Sequence, residues 1–161
     1  MLKSFQLRIA RSVTGIDVRE IALYLSISRT IISRWEQQLP FQEIKTKKIS
    51  VESLIFFFRQ HNILFPDNNT VLLNKEIDHS KNDNLTRFQL RGGRAALKLT
   101  QRKLSELVDI PVSTINYIET QDNTLFLDQT NKEIDTSRLQ NFFNKNGITF
   151  PTPLSIYFSS N

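Results

Sequence analysis

The chain has 161 residues, 39% of them hydrophobic, with a formal net charge of +5 and no cysteine. The missing cysteines exclude disulfides, thiolate metal sites and cysteine nucleophiles, and no run of about 18 apolar residues offers a membrane span. The N-terminal stretch starting Met1-Leu2-Lys3 carries no unbroken apolar segment, so no secretory signal is expected and the expected location is cytoplasmic.

Helical periodicity opens the chain, and Asp17 with Glu20 forms a D-x-x-E pair suited to starting a second helix. Ser26-Ile27-Ser28 interrupts that helix and a third is expected over residues 29–36. Two short helices joined by a three-residue turn, with an apolar residue inside the turn, form the helix-turn-helix pattern. Residues 37–50 follow no pattern that assigns them. A strongly apolar helix over 51–61 then stops at Asn62, a residue type that tolerates a left-handed helix end. Ile63-Leu64-Phe65, the turn-forming Pro66-Asp67-Asn68-Asn69 and Val71-Leu72-Leu73 predict a small hairpin.

A polar linker is expected over 75–86, and the second half then repeats the first. At an offset of 83, Phe5-Gln6-Leu7-Arg8 falls on Phe88-Gln89-Leu90-Arg91, Arg19 on Arg102, Ile27 on Ile110 and Glu36 on Glu119. At an offset of 85, Leu54, Phe57 and Phe58 fall on Leu139, Phe142 and Phe143, and Ile63 to Pro66 on Ile148 to Pro151. Thr100 is placed to cap a helix that Asp109-Ile110-Pro111 ends, and residues 112–119 resume as the next helix. A strongly apolar trailing helix over 137–146 stops at Gly147, followed by a second hairpin, while residues 120–136 stay unassigned. Two units are therefore expected, over 1–74 and 87–161. Positive charge gathers between Phe88 and Lys103, where Arg91, Arg94, Lys98, Arg102 and Lys103 stand with no acid among them.

The run from Leu90-Arg91 through Arg94, Leu97, Leu99-Thr100-Gln101, Leu104, Val108, Ile110 and Ser113-Thr114-Ile115 to Ile118-Glu119 resembles the Cro/phage-repressor (XRE-like) helix-turn-helix domain over about thirty residues. The first copy matches less closely, with Val18 where the second has Gln101. The resemblance implies a mainly α fold of two tandem lambda-repressor-like helix-turn-helix domains, each ending in a short β-hairpin. It implies a bacterial or phage-type regulator that binds double-stranded DNA, with the third helix of each unit in the major groove. The base-reading candidates it implies are Ser28, Arg29, Thr30, Ser33 and Arg34, then Gln101, Val112, Ser113, Thr114, Asn116 and Tyr117. Arg8, Arg11, Arg19, Arg91, Arg94, Arg102 and Lys103 are the phosphate candidates, which would position the protein without reading sequence.

Taken alone, arginines along a first helix more often form a solvated face; their recurrence in both copies favours phosphate contact. Glu36 and Glu119 are expected to pair with first-helix arginines, and Trp35 and Ile118 to be core. Ile55 and Phe56 correspond to Gln140 and Asn141, so the first copy carries extra apolar surface. Burial under residues 37–50 would explain it; an interface, between domains or in a homodimer through the first domain, is the preferred expectation. His61 and His79 lack neighbours at metal-ligand spacing, no Gly-rich phosphate loop or catalytic constellation is visible, and neither an enzyme nor a cofactor is expected. The competing expectation is a protein-interaction module, antitoxin-like or an anti-regulator, that kept the fold without reading DNA.

Overall fold

A computed structural model describes residues 1–77 and 84–160. Among them lie nine helices and four strands. The first copy supplies α1 (Ser4–Thr14), α2 (Val18–Leu25), α3 (Arg29–Gln37), α4 (Lys48–Arg59), β1 (Ile63–Leu64) and β2 (Thr70–Leu73). The second supplies α5 (Arg87–Ala96), α6 (Gln101–Val108), α7 (Val112–Glu119), a one-turn α8 (Leu127–Thr130), α9 (Thr136–Lys145), β3 (Ile148–Thr149) and β4 (Ser155–Phe158). The fold is mainly α with one small antiparallel sheet, and no helix of the described residues is long and apolar enough to cross a membrane.

The local breaks fall where residue chemistry allows them. Asn62 and Gly147 end α4 and α9 at φ 64° and 86°. At Gly147 a Cβ would lie 2.4 Å from the Ser159 carbonyl oxygen, so glycine is required there for space as well as conformation. Ser26 and Asp109 close α2 and α6 in the left-handed region, at φ 56° and 54°. Asp109 is of a type that visits that region through local hydrogen bonding, whereas Ser26 holds it at a small conformational cost. Thr86 and Gln89 cap α5 reciprocally, each side chain accepting from the other's backbone N–H, at 3.3 and 3.1 Å. Of the expected linker, residues 78–83, with His79, lie outside the described residues. Leu85 and Thr86 already belong to the fold, being 2% and 0% exposed.

The two hairpins join in a single four-stranded sheet of order β1-β2-β4-β3. Its central register pairs Thr70 with Tyr157, Val71 with Ile156 and Leu72 with Ser155. Exchanging the copies maps the first pair onto the last and leaves Val71·Ile156 in place, so that pair marks an internal pseudo-two-fold axis. The outer pairs obey the same exchange: Ile63 with Leu73, and Ile148 with Phe158. So do the buried glutamines, which tie each first helix to its own hairpin. Gln6 Nε2 donates to the carbonyls of Asp67 and Thr70 at 2.8 and 3.0 Å, and Gln89 Nε2 to those of Thr152 and Ser155 at 2.7 and 3.4 Å.

Beneath the sheet, α1 packs along α5, and one apolar core runs through both copies. Burying each large aliphatic side chain there contributes roughly 1.5–3 kcal/mol. The seam is not symmetric in size. Gly92 corresponds to Ile9, and a Cβ on Gly92 would stand 2.2 Å from Ile156 Cδ1 and 3.2 Å from Ile9 Cγ2. One copy's isoleucine packs beside the other copy's missing side chain. An aromatic cluster extends the join, with Phe158 of the second copy 5.1 Å from Phe5 and 4.6 Å from Phe41 of the first.

Candidate nucleic-acid interface

In both copies a three-residue turn sets a short helix across its predecessor: residues 26–28 between α2 and α3, and 109–111 between α6 and α7. Asp17 caps α2 by accepting from the Arg19 N–H at 2.8 Å, and Ser28 caps α3 by accepting from the Thr30 N–H at 3.1 Å. Thr100 caps α6 through the Lys103 N–H at 3.0 Å, and Ser105 Oγ holds the turn by donating to the Ile110 carbonyl at 2.6 Å. Ile110 is buried and Ile27 half-buried, so each turn carries its apolar residue inward. Trp35 and Ile118 are core, as expected.

The outward faces of α3 and α7 carry most of the base-reading candidates. Ser28, Arg29, Thr30 and Arg34 are exposed and Ser33 half-buried. On the second copy Val112, Ser113, Asn116 and Tyr117 are exposed, while Thr114 and Gln101 are half-buried. A depression of about 340 Å³ lies between the starts of α2 and α3, lined by Asp17, Val18, Arg19, Arg29, Thr30 and Ser33.

The seven phosphate candidates separate into three groups. Arg19, Arg102 and Lys103 are exposed, with Lys103 4.0 Å from Glu106. Arg11 is held by Glu36, its Nε 2.8 and 2.9 Å from the two carboxylate oxygens. Arg91 and Arg94 meet on Glu119 Oε1 at 2.5 and 2.6 Å, so both glutamates pair with first-helix arginines. Arg8 does not fit its expected phosphate role. It is 7% exposed and crosses the seam, donating to the carbonyls of Ala95 (3.2 Å), Ala96 (2.8 Å) and Glu36 (2.9 Å) and to Ser4 Oγ (2.9 Å). Burial pushes its pKa down to about 10, with Glu36 pulling the other way. Its guanidinium satisfies the C-terminal carbonyls of α5, where a cation also complements the helix dipole.

Two further cations cross the seam, in roles that the sequence did not announce. Arg87 donates to the carbonyls of Glu119 at 2.9 Å and Val13 at 3.1 Å and to Asn123 Oδ1 at 2.6 Å. Burial lowers its pKa, with Glu119 opposing. Lys98 Nζ donates to the carbonyls of Gln37 and Gln38 at 3.0 and 3.2 Å, and burial foremost lowers its pKa, with Arg8 adding to the effect. Arg87 corresponds to Ser4 and Lys98 to Gly15, so neither repeats between copies; Arg87 drew no attention, and Lys98 stood out only as one of the positive charges between Phe88 and Lys103.

A polar chain links the second copy's ion pair to its exposed face. Gln101 Nε2 donates to Glu119 Oε1 at 3.2 Å, and Asn116 Nδ2 donates to Gln101 Oε1 at 3.1 Å. Val18 and Ser33 stand at the corresponding places in the first copy. That substitution pattern was the signal by which sequence could have found the chain.

Leu54, Phe57 and Phe58 of α4 are buried, but the extra apolar surface of the first copy stays partly open. Phe56 is 50% exposed, and nearby α2 presents Leu23 at 82%, where the second copy has Asn141 and Glu106. Ile55 is half-buried. His61 Nδ1 lies 3.0 Å from the Phe57 carbonyl oxygen, and no group of three or more potential metal ligands occurs among the described residues. Compared with protein-family models, curated proteins and solved structures, the chain matches none.

Proposed function

We propose that the protein is a sequence-specific double-stranded DNA-binding regulator of transcription, related in design to the Cro/phage-repressor helix-turn-helix proteins, and that one chain supplies both reading units. The observation that carries this reading is the pseudo-two-fold exchange centred on Val71·Ile156, which relates two helix-turn-helix-like pieces as a homodimer axis would relate two subunits. Duplex DNA has its own two-fold symmetry, and paired reading helices about one helical turn, roughly 34 Å, apart meet successive major grooves on one side. The reading includes neither catalysis nor a cofactor, and it places the protein in the cytoplasm.

The two faces suit different bases. Arg29 and Arg34 of α3 carry the fork that meets guanine O6 and N7. The second face has no arginine on α7; Val112 and Thr114 offer methyl groups to thymine and Asn116 an amide to adenine. Arg19, Arg102 and Lys103, being exposed, are the phosphate contacts. The half-sites therefore differ, and the operator is an imperfect inverted repeat. Selection from a random duplex library with the full chain, near physiological salt, tests this. A two-part motif bound by one chain supports it; a single half-site restricts reading to one copy; no enrichment rejects it.

A second reading rests on the exposed Leu23 and Phe56, whose counterparts Glu106 and Asn141 are polar. That face would make the first unit a protein-contact module, either in a homodimer or with an antitoxin- or anti-regulator-type partner. Its binding would respond little to salt, whereas phosphate contacts weaken steeply.

A further inference from the structure

We infer that α7 selects an adenine through an amide relay whose polarity is set by Glu119, and that α3 has no such device. This rests on the DNA-reading proposal above and specifies one contact within it. Glu119 is 7% exposed, and its carboxylate accepts from Arg91 and Arg94 while Gln101 Nε2 approaches Oε1 at 3.2 Å. A carboxylate held between two guanidinium groups offers only acceptors to a neighbouring amide. Gln101 must therefore turn its nitrogen inward and its oxygen outward. That oxygen needs a donor, so Asn116 turns Nδ2 toward it, at 3.1 Å.

An isolated amide on a surface has two orientations of similar energy. The relay leaves Asn116 with one. The relay uses one of its two amide hydrogens; the other hydrogen and the carbonyl remain for a base edge. Adenine presents N7 as acceptor and N6 as donor in the major groove, which matches that pair, whereas guanine presents two acceptors and meets the Asn116 carbonyl with repulsion. Holding the amide in advance removes an ordering cost that a mobile asparagine would meet on binding.

The first copy lacks the parts. Arg11 Nε contacts both oxygens of Glu36, at 2.8 and 2.9 Å, and Val18 and Ser33 replace Gln101 and Asn116. Glu119 and Gln101 are thus positioning residues and Asn116 the contacting one. The adenine requirement belongs to one half-site, which gives the operator a direction.

The test uses the full chain and the duplex motif recovered by selection, with each base pair of the second half-site replaced in turn. Asn116→Ala should abolish the adenine preference at one position, a loss of about tenfold in discrimination. Gln101→Val, which installs the first copy's residue, should weaken that same preference several-fold and leave other positions unchanged. Gln101→Met keeps the length without the polar atoms and should behave likewise, so a folding defect in one variant does not stand for both. Melting temperature serves as the control, since a merely structural role would move it and leave base preference alone. An unchanged preference in both Gln101 variants, with loss in Asn116→Ala, overturns the relay. Retained preference in Asn116→Ala overturns the adenine assignment. Failure to recover any motif overturns the DNA reading itself, a separate result seen before any variant is made.

Discussion

Replacing Gly92 with alanine probes the join between the two copies where one of them lacks a side chain. In an open helix the change would favour folding by about 1 kcal/mol, because glycine carries more backbone freedom in the unfolded chain. Here the new Cβ would lie 2.2 Å from Ile156 Cδ1 and 3.2 Å from Ile9 Cγ2, and both isoleucines are fully buried. Forcing a methyl into such a seam costs roughly 1–3 kcal/mol. The two effects leave Gly92→Ala destabilised by about 1 kcal/mol, a fall of about 2–4 °C in Tm for a chain of this size. Ile156→Val removes the Cδ1 atom that the new methyl meets and costs about 1 kcal/mol alone. The double variant should then be no less stable than Ile156→Val, a coupling of about 1 kcal/mol or more in a double-mutant cycle. Denaturant unfolding of all four proteins, with unchanged slopes, measures it. A raised Tm for Gly92→Ala, or strict additivity with Ile156→Val, would refute the packing described at the axis.

Arg8→Met keeps the apolar stem but strips the donors from the Ala95, Ala96 and Glu36 carbonyls. It should cost about 2–4 kcal/mol, or about 5–15 °C in Tm, and a variant within 2 °C of the parent would refute the seam role. With the Arg8 pKa lowered to about 10, the unfolded chain holds this proton more tightly than the folded one. Its contribution to stability is therefore flat below pH 10 and rises only above it, so the Arg8→Met deficit should be constant from pH 6 to 9. DNA binding through Arg19, Arg102 and Lys103 predicts a slope of about −3 for log K against log salt, and Arg102→Ala should reduce its magnitude by about 1 at every sequence tested. Phe56→Lys should lower Tm by no more than about 2–4 °C, since half of that residue is already in water. If the first unit mediates self-association, the same variant lowers the mass seen by light scattering; unchanged mass ends that reading.

Much of the fold was legible along the chain because it depends on residues close in sequence. The helix boundaries at Ser26 and Asp109, the left-handed ends at Asn62 and Gly147, and both hairpins follow from turn chemistry and periodicity within a dozen residues. The Arg11–Glu36 and Arg94–Glu119 pairs were readable too, since the repeat displays both partners twice. The pairing of the copies was not. Nothing in a helical stripe says that α1 lies on α5 or that β2 joins β4, because those contacts depend on how two complete units fit together. Arg8 and Arg91 illustrate the difference. They share the Phe-Gln-Leu-Arg motif, yet Arg8 passes across the seam to the end of α5 while Arg91 pairs with Glu119 and meets the first copy only at the Ser12 carbonyl, 3.5 Å away. Identical local sequence prescribes the same helix position for both. Which partner each guanidinium reaches depends on what the opposite copy brings to the seam, and only the tertiary structure brings it there.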